Sequence, residues 1–202
     1  MSINLSKGQK IDLTKDNGGL RNVLVGLGWD EVEQKRGFSL FSAPKQDIDC
    51  DASVLLCGAD GKLVSHAVKD CVVYYGNLRH ASGAIYHHGD NLTGAGEGDD
   101  EQITVDLNAV PANIAKLVFV VNIYDAAPRH QHFGMIRNAF IRLEDKDARR
   151  ELCRFNLSEN YDGMTGLIVG EIYRRDGNWK FSAIGQPVRE ASRLDAILNM
   201  YR

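Results

Sequence analysis

Residues 167–184, LIVGEIYRRDGNWKFSAI, combine two β-rich runs with a tight turn signal. The apolar run at 167–173 is followed by RRDGN at 174–178 and then by a second run at 179–184. An Asp-Gly pair flanked by alternating hydrophobic residues is the strongest short-range signal for a β-hairpin. This stretch therefore predicts two antiparallel strands joined by a tight turn.

Short β-rich runs of the same kind recur along the chain. They lie at residues 23–29, 53–57, 62–65, 71–75, 102–107, 117–123, 139–143 and 153–157. The run at 117–123 is apolar almost throughout, as a central strand covered on both faces would be. Helix signals are few: a short turn at 111–115 and a C-terminal helix at 187–201. The pattern predicts a mainly β fold, a β-sandwich with a few short helices, as one domain over residues 1–202.

Residues 89–101, GDNLTGAGEGDDE, place five carboxylates among four glycines. No Lys or Arg occurs between Arg79 and Lys116 to neutralise them. Two carboxylates about 5 Å apart repel by roughly 3 kcal/mol at an effective dielectric near 20, so a folded domain needs a cation to crowd several of them. Hard oxygen ligands on a glycine-rich loop suit Ca²⁺. The alternative is a solvated acidic loop.

Asp47, Asp49 and Asp51 form a second acidic cluster, with a carboxylate at every second residue. In an extended segment all three point to one side. The spacing begins like an EF-hand loop, but Ala52 and Gly58 stand at the sixth and twelfth positions, where that motif needs Gly and Glu. The two clusters predict a Ca²⁺ site in loops that converge at one edge of the sandwich.

Three further residues follow predicted strands at positions that suit either a turn or a metal site. Asp30 and Asp125 each close an apolar run, where an Asp forms a turn or cap or presents a carboxylate at the sheet's rim. Asn77 follows the segment YYG at 74–76 and is either a turn residue or a neutral oxygen ligand.

The histidines and cysteines do not predict a catalytic centre. Adjacent His87 and His88 point to opposite faces of a strand and are poor joint ligands. The four cysteines form no Cys-x-x-Cys pair, which argues against structural zinc. No P-loop and no Gly-x-Ser-x-Gly motif occurs.

Composition and hydropathy exclude two further classes. A net charge of −3 gives no basic field, so direct nucleic-acid binding is not expected. No apolar signal core opens the sequence, and the longest apolar run is too short to span a bilayer. A cytoplasmic protein that does not span a membrane is expected.

Seven segments, in this order, resemble the TerD family of calcium-binding stress and tellurium-resistance proteins. They are VLVGLGWD at 23–30, DIDCDASVL at 47–55, YYGNL at 74–78, GDNLTGAGEGDDE at 89–101, VFVVNIYDA at 118–126, FGMIRNAFIRL at 133–143 and GEIYRRDGNWKFSAIG at 170–185.

The resemblance implies a β-sandwich that binds about two Ca²⁺ ions in acidic loops at one edge. The implied side-chain ligands are Asp49, Asp51, Asn77, Asp90, Asp99, Asp100 and Glu101. Residues implied to contribute through the backbone or indirectly are Asn91, Thr93, Gly96 and Gly98. Additional candidates for a metal or rim position are Asp30, Asp47 and Asp125.

The predicted function is that of a calcium-binding stress-response protein of the tellurium-resistance type that is not an enzyme. Ca²⁺ would neutralise the acidic edge, order its loops and switch a surface for other stress-response or membrane-associated proteins. Two alternatives stay open. One is a metal-dependent hydrolase with paired ions, and the other is a metal-free interaction module whose acidic edge contacts a basic partner.

Overall fold

A computed structural model of the chain describes residues 2–31, 48–89, 98–157, 159–191 and 193–202. The strands of these segments are, in chain order, β1 (Ile3–Leu5), β2 (Lys10–Asp12), β3 (Asn22–Glu31), β4 (Cys50–Cys57), β5 (Val72–Val73), β6 (Ile85–His87), β7 (Glu101–Asp106), β8 (Lys116–Ile123), β9 (Ile136–Asp145), β10 (Arg150–Asn156), β11 (Gly166–Arg175) and β12 (Asn178–Val188). The helices are α1 (Val68–Cys71), α2 (Ala126–Arg129) and α3 (Leu194–Asn199), with a 3₁₀ turn at Phe133–Met135. Among the described residues no helix is long and apolar enough to cross a membrane.

The strands form two six-stranded sheets that share one hydrophobic core. Sheet A has the order β1-β10-β9-β3-β7-β6, and sheet B has the order β2-β12-β11-β8-β4-β5. All neighbouring strands are antiparallel except β1 and β10, which are parallel. The predicted mainly β, sandwich-like fold with few short helices is confirmed.

The hairpin predicted at 167–184 is present as β11 and β12. Arg175 pairs with Asn178, which leaves a two-residue loop of Asp176 and Gly177. Both loop residues have positive φ, 55° and 75°, as a type I′ turn requires. The turn matches the twist of its strands and so fixes their register.

β8 is the central strand that its continuous apolar sequence predicts. It lies between β11 and β4 in sheet B. Phe119 and Val121 face the core between the sheets, whereas Val118 and Val120 belong to a second cluster on the outer face of sheet B. Ile197 of α3 packs into that second cluster. Both faces of β8 are therefore covered, which explains the absence of alternation in its sequence.

The core between the sheets consists of alternate side chains from the strands of both. Leu27 and Ile141 of sheet A and Val54, Phe119 and Phe181 of sheet B are each at most 1% exposed. Full burial of such a side chain contributes about 1.5–3 kcal/mol. This layer holds the two sheets at a fixed spacing and thereby positions the strand ends described below.

The C-terminal segment is a correction to the predicted helix at 187–201. β12 continues to Val188, which pairs with Gly166 and accepts a hydrogen bond from the Thr165 N–H. α3 begins only at Leu194. The ladder with β11 satisfies the backbone at 187–188, so the helical pattern is realised only where the chain has left the sheet.

Two other predicted strands are shorter than expected. In the run at 71–75, Cys71 ends α1 and only Val72–Val73 form a strand. In the run at 62–65, Leu63 makes a single bridge to Cys57. β1, β2 and β6 were not predicted, because three residues are too few to display a periodic pattern.

Candidate functional site

One end of the sandwich collects most of the predicted site residues, and we call it the acidic end. β3 and β8 end there, and β4 and β7 begin there. Three contacts join these strand ends: Asp100 to the Trp29 N–H, Glu101 to the Ala52 N–H, and the Tyr124 N–H to the carbonyl of Asp49. The carboxylates brought to this end are those of Asp30, Asp49, Asp51, Asp99, Asp100, Glu101 and Asp125. The predicted convergence of the acidic segments is thus present in the described residues.

Glu101 ties sheet A to sheet B at this end. Its carboxylate is 2% exposed, and its Oε2 accepts a 2.8 Å hydrogen bond from the backbone N–H of Ala52 in β4. His87, which is fully buried, places Nε2 3.2 Å from both Glu101 Oε2 and the Ala52 carbonyl oxygen. Two acceptors at that nitrogen place the ring proton on Nε2, and the Gly89 N–H donates to Nδ1. The ring therefore lies between Glu101 of sheet A and Ala52 of sheet B at this end.

Asp100 is also held by the backbone. Its Oδ2 accepts a 2.7 Å hydrogen bond from the Trp29 N–H, and its own N–H donates to the carbonyl of Leu27. The residue is 8% exposed. Burial raises the pKa of this carboxyl, the hydrogen bond from Trp29 lowers it, and the nearby charges of Asp30 and Asp99 raise it further. Crowded negative charge of this kind is the condition that a bound cation relieves.

Asp99 has a different environment from its two neighbours. Its carboxylate receives two 2.6 Å hydrogen bonds from Nε and Nη2 of Arg142, and Gln102 donates a third at 3.0 Å. The Asp99 side chain is 1% exposed. Such a bidentate pair is strong and directional. The structure therefore gives Asp99 an anchoring contact on sheet A, and its role as a metal ligand stays a prediction.

Two glycines of β3 make room for this acidic segment. A Cβ on Gly26 would overlap the Asp99 carboxylate, and a Cβ on Gly28 would lie 2.7 Å from the carbonyl oxygen of Gly98. Gly98 itself has φ of 128°, a conformation that favours glycine. The GLG motif at 26–28 therefore lets residues 98–99 lie directly on the sheet.

Asp49 and Asp51 lie at the start of β4 in sheet B. Cys50 between them packs in the core, as the predicted alternation requires. The Asp49 carboxylate lies 3.7 Å from the Arg129 guanidinium and is 25% exposed. Asp51 is 5% exposed and lines a cavity on the outer face of sheet B.

The rim candidates each have a structural contact. Asn77 donates from its amide to the carbonyls of Lys69 and Val72, and it closes the turn after β5. The Asp30 carboxylate accepts a 2.7 Å hydrogen bond from the Asn138 amide.

Asp125 adopts a left-handed conformation at the start of α2, with φ of 48°. Its carboxylate lies 3.7 Å from Arg193. The turn-forming interpretation is thus realised for Asn77 and Asp125, whereas Asp30 lies within β3 and pairs with Arg137. The metal roles of all three residues stay predictions.

Five predicted site residues fall outside the described residues. They are Asp47, Asp90, Asn91, Thr93 and Gly96. Within the described segments, no group of three or more His, Cys, Asp or Glu side chains is arranged to hold a metal ion.

Sequence reasoning missed four residues that organise the site: Gly26, Gly28, His87 and Arg142. The glycine pair is visible in VLVGLGWD at 23–30, but the sequence does not indicate which segment lies against it. The sequence predicts that His87 and His88 are poor joint ligands, and in the structure His87 is buried and His88 is exposed. Arg142 carries no local signal, because its partner Asp99 is 43 residues away.

Comparison with known proteins identifies relatives along the whole chain. A family model described as TerD domain matches residues 1–201. Stress response protein SCP2 of Bacillus subtilis (strain 168) is 51% identical, with 100% of both chains covered. Tellurium resistance protein TerD of an Alcaligenes species is 44% identical, covering 92% of this chain and 90% of that protein. Among solved structures, a Streptomyces coelicolor A3(2) homologue of telluride resistance protein (TerD) superposes with a TM-score of 0.62. It is 24% identical and covers 85% of this chain and 92% of its own, which supports the fold alone.

Proposed function

Because this chain belongs to the TerD family, we propose that it is a calcium-binding protein of the stress-response and tellurium-resistance type. Relatives in the family carry the names stress response protein and tellurium resistance protein. The proposed site is the acidic end, with about two Ca²⁺ ions. We propose that the protein is not an enzyme and that it acts in the cytoplasm. All four cysteines lie in described segments as thiols outside any disulfide, which favours a reducing compartment.

The observation that carries the proposal is the burial of Asp51, Asp100 and Glu101 at one end of the sandwich. Their exposed fractions are 5%, 8% and 2%. Asp100 and Glu101 are held by backbone N–H groups, which orient a carboxylate without cancelling its full charge. A buried carboxylate costs several kcal/mol unless a positive charge compensates it. A divalent cation would supply that compensation.

The donor chemistry of this end fits Ca²⁺, which prefers carboxylate, carbonyl and amide oxygens. Among the described residues, Asp49, Asp51, Asp100 and Glu101 would hold the ions, together with predicted ligands outside the described segments. The Asp99–Arg142 pair would fix the approach of the Asp100–Glu101 segment. A bound ion would supply positive charge, stabilise the folded state by mass action and order the surface that meets other stress-response or membrane-associated proteins.

Thermal unfolding of chelator-stripped protein, with and without millimolar Ca²⁺, tests the proposal. We expect a rise of several degrees with Ca²⁺ and little change with Mg²⁺, which demands a tighter octahedral geometry. Asp100→Asn should weaken Ca²⁺ binding at least about tenfold, because it removes a charge from the site. Asp106→Asn is the matched control, since Asp106 lies at the other end of β7 and pairs with Arg21.

Two results would overturn this function in favour of an alternative. The absence of any Ca²⁺ effect, with salt-sensitive binding to a basic protein, would establish a metal-free interaction module. Turnover of a phosphodiester with Mg²⁺ or Mn²⁺ that is lost in Asp100→Ala would establish a metal-dependent hydrolase.

A further inference from the structure

A cavity of about 390 Å³ lies on the outer face of sheet B, next to the acidic end. We call it the outer-face cavity. Asp51 and Ser53 of β4 and Asn122 of β8 form its floor. The register pairs Asp51 with Asn122, so their side chains lie next to each other on this face. The floor of the cavity is thus polar, although most of the outer face of sheet B is apolar.

Asn122 is the unusual member of that floor. It is 2% exposed, yet its side-chain oxygen accepts no hydrogen bond from any described residue. Leaving a buried acceptor unsatisfied costs about 1–3 kcal/mol. The side chain lines the cavity, so a donor group placed in the cavity would satisfy this oxygen.

The walls of the cavity are aromatic and apolar. Tyr74, Tyr75 and Tyr124 line the cavity, together with Leu194 and Leu198 of α3. Tyr74 and Tyr75 pack edge to face with ring centroids 5.2 Å apart. The ring of Tyr124 already carries a cation on its face, since the guanidinium of Arg129 lies 5.3 Å from its centroid. Aromatic faces of this kind attract organic cations.

The charges at the cavity are predominantly negative. Asp51 and Asp195 line it, together with one cation, Arg193. The Arg193 side chain is 73% exposed and lies 3.7 Å from the Asp125 carboxylate. The interior therefore offers acceptors and negative charge to a ligand that carries donors.

The size of the cavity favours an organic molecule over a bare ion. A volume of about 390 Å³ lies within the range of small-molecule sites, roughly 300–1,000 Å³. A single water molecule occupies only about 30 Å³. Tyrosine rings and leucine side chains would contribute nothing to ion coordination, whereas they would bury the carbon skeleton of a ligand.

We propose that the outer-face cavity binds a small organic ammonium compound, whose charged nitrogen donates to Asn122 and Asp51 and whose carbon skeleton packs on the tyrosines. The site goes beyond the proposed Ca²⁺ function, and Asn122 is not among the predicted Ca²⁺ ligands. A primary ammonium carries three N–H donors, which suits an amide oxygen, a carboxylate and a hydroxyl.

Titration of the full chain with phenethylammonium chloride tests this site, with NMR chemical shifts as the measure of binding. The uncharged 2-phenylethanol, of nearly the same shape, is the matched ligand control. We expect saturable shifts with phenethylammonium and at least about tenfold weaker binding of the alcohol, because charge-assisted hydrogen bonds are lost. Asn122→Leu should weaken phenethylammonium binding about tenfold while keeping the unfolding midpoint, since it replaces an amide whose oxygen accepts no hydrogen bond with an apolar group.

A second variant guards against loss of folding in the first. Tyr75 is 47% exposed, so Tyr75→Leu should fold normally and weaken binding about two- to fivefold through loss of a cation–π contact. Asn108→Leu, at the opposite end of the sandwich, should leave the affinity unchanged. Equal binding of the alcohol, or unchanged affinity in both Asn122→Leu and Tyr75→Leu, would overturn the proposal.

Calcium separates this proposal from the proposed function. Persistence of phenethylammonium binding in saturating Ca²⁺ would support a separate organic site. Complete displacement by Ca²⁺ would overturn it and assign the polar floor to the ion. Ammonium binding without any Ca²⁺ effect on thermal unfolding would overturn only the calcium function.

Discussion

The two ends of the sandwich compensate their carboxylates in different ways. At the end opposite the acidic end, Asp106 pairs with Arg21 at 2.8 Å and Asp12 with Lys180 at 3.3 Å. At the acidic end, Asp100 and Glu101 are buried and are held by backbone N–H groups. Pairing each carboxylate with a Lys or Arg side chain stabilises the folded state. The arrangement at the acidic end keeps negative charge concentrated at one place, as a cation-binding site requires.

Asp99 shows that the acidic end contains both solutions side by side. It is adjacent to Asp100 in the chain, yet it pairs with Arg142 on sheet A. Arg142 also contacts Glu144 at 2.6 Å and lies 3.9 Å from Glu151, so its guanidinium is shared among three carboxylates. Asp99 is therefore anchored by a side-chain cation, whereas Asp100 and Glu101 are held by backbone N–H groups.

Arg142→Met should cause the largest loss in the free energy of unfolding. It tests whether Asp99, which is paired with an arginine, differs from the carboxylates that are held by backbone N–H groups. It leaves the Asp99 side chain, which is 1% exposed, without its partner, at a cost of about 3 kcal/mol in the free energy of unfolding. The Arg21 guanidinium is 59% exposed, so Arg21→Met should cost less than about 1 kcal/mol. Urea unfolding of the metal-free variants gives both values. Equal losses in the two variants would show that the ends do not differ in this way.

Gly26→Ala should have an intermediate effect on the free energy of unfolding, because it disturbs the Asp99–Arg142 pair from the neighbouring strand β3. The new Cβ would overlap the Asp99 carboxylate and displace it from Arg142, at a cost of about 2 kcal/mol. Gly18→Ala is the matched control, since a Cβ there meets nothing within 4 Å. The same urea measurement applies. A loss in Gly18→Ala as large as that in Gly26→Ala would rule out steric displacement of Asp99 as the cause.

The pH dependence of the free energy of unfolding should have opposite signs for a carboxylate at each end. This effect is expected to be smaller than those of the two substitutions above. The hydrogen bond from Arg21 lowers the pKa of Asp106, so its stabilisation is present above the unfolded pKa of about 3.9 and is lost as pH falls through the folded value. Burial raises the pKa of Asp100, so its charge destabilises the metal-free protein as pH rises from about 3.9 through the folded value.

Unfolding free energies of metal-free protein between about pH 3 and pH 7 check these signs. Relative to the unmodified chain, Asp106→Asn should lose stability as pH rises, and Asp100→Asn should gain it. Slopes of the same sign in the two variants would contradict the comparison.

Much of the fold could be predicted because its signals are local. The Asp-Gly turn between β11 and β12 and the continuous apolar run of β8 each specify an element within a few residues. The helical spacing at 187–201 predicts a helix that begins before the observed start at Leu194, because the pairing of Val188 with Gly166 depends on a strand that local spacing does not reveal.

The sequence predicts which acidic residues belong to the candidate site and that their segments meet at one edge of the sandwich. Carboxylates concentrated among glycines indicated where charge would accumulate, and Asp100 and Glu101 are indeed buried at a shared edge. Their separate environments were not predictable. The partners of Asp99 and Glu101 come from strands distant in sequence, and no local pattern couples them.

The sequence by itself determined the strand-forming runs, the hairpin turn and the excess of negative charge, because alternation, turn chemistry and charge are properties of neighbouring residues. Only the tertiary structure decided that Asp99 pairs with Arg142, that Gly26 leaves room for this pair, and that Asn122 faces a cavity. Each of these depends on the register between strands and on the packing of one layer against another. Those relations arise only when distant segments share a core.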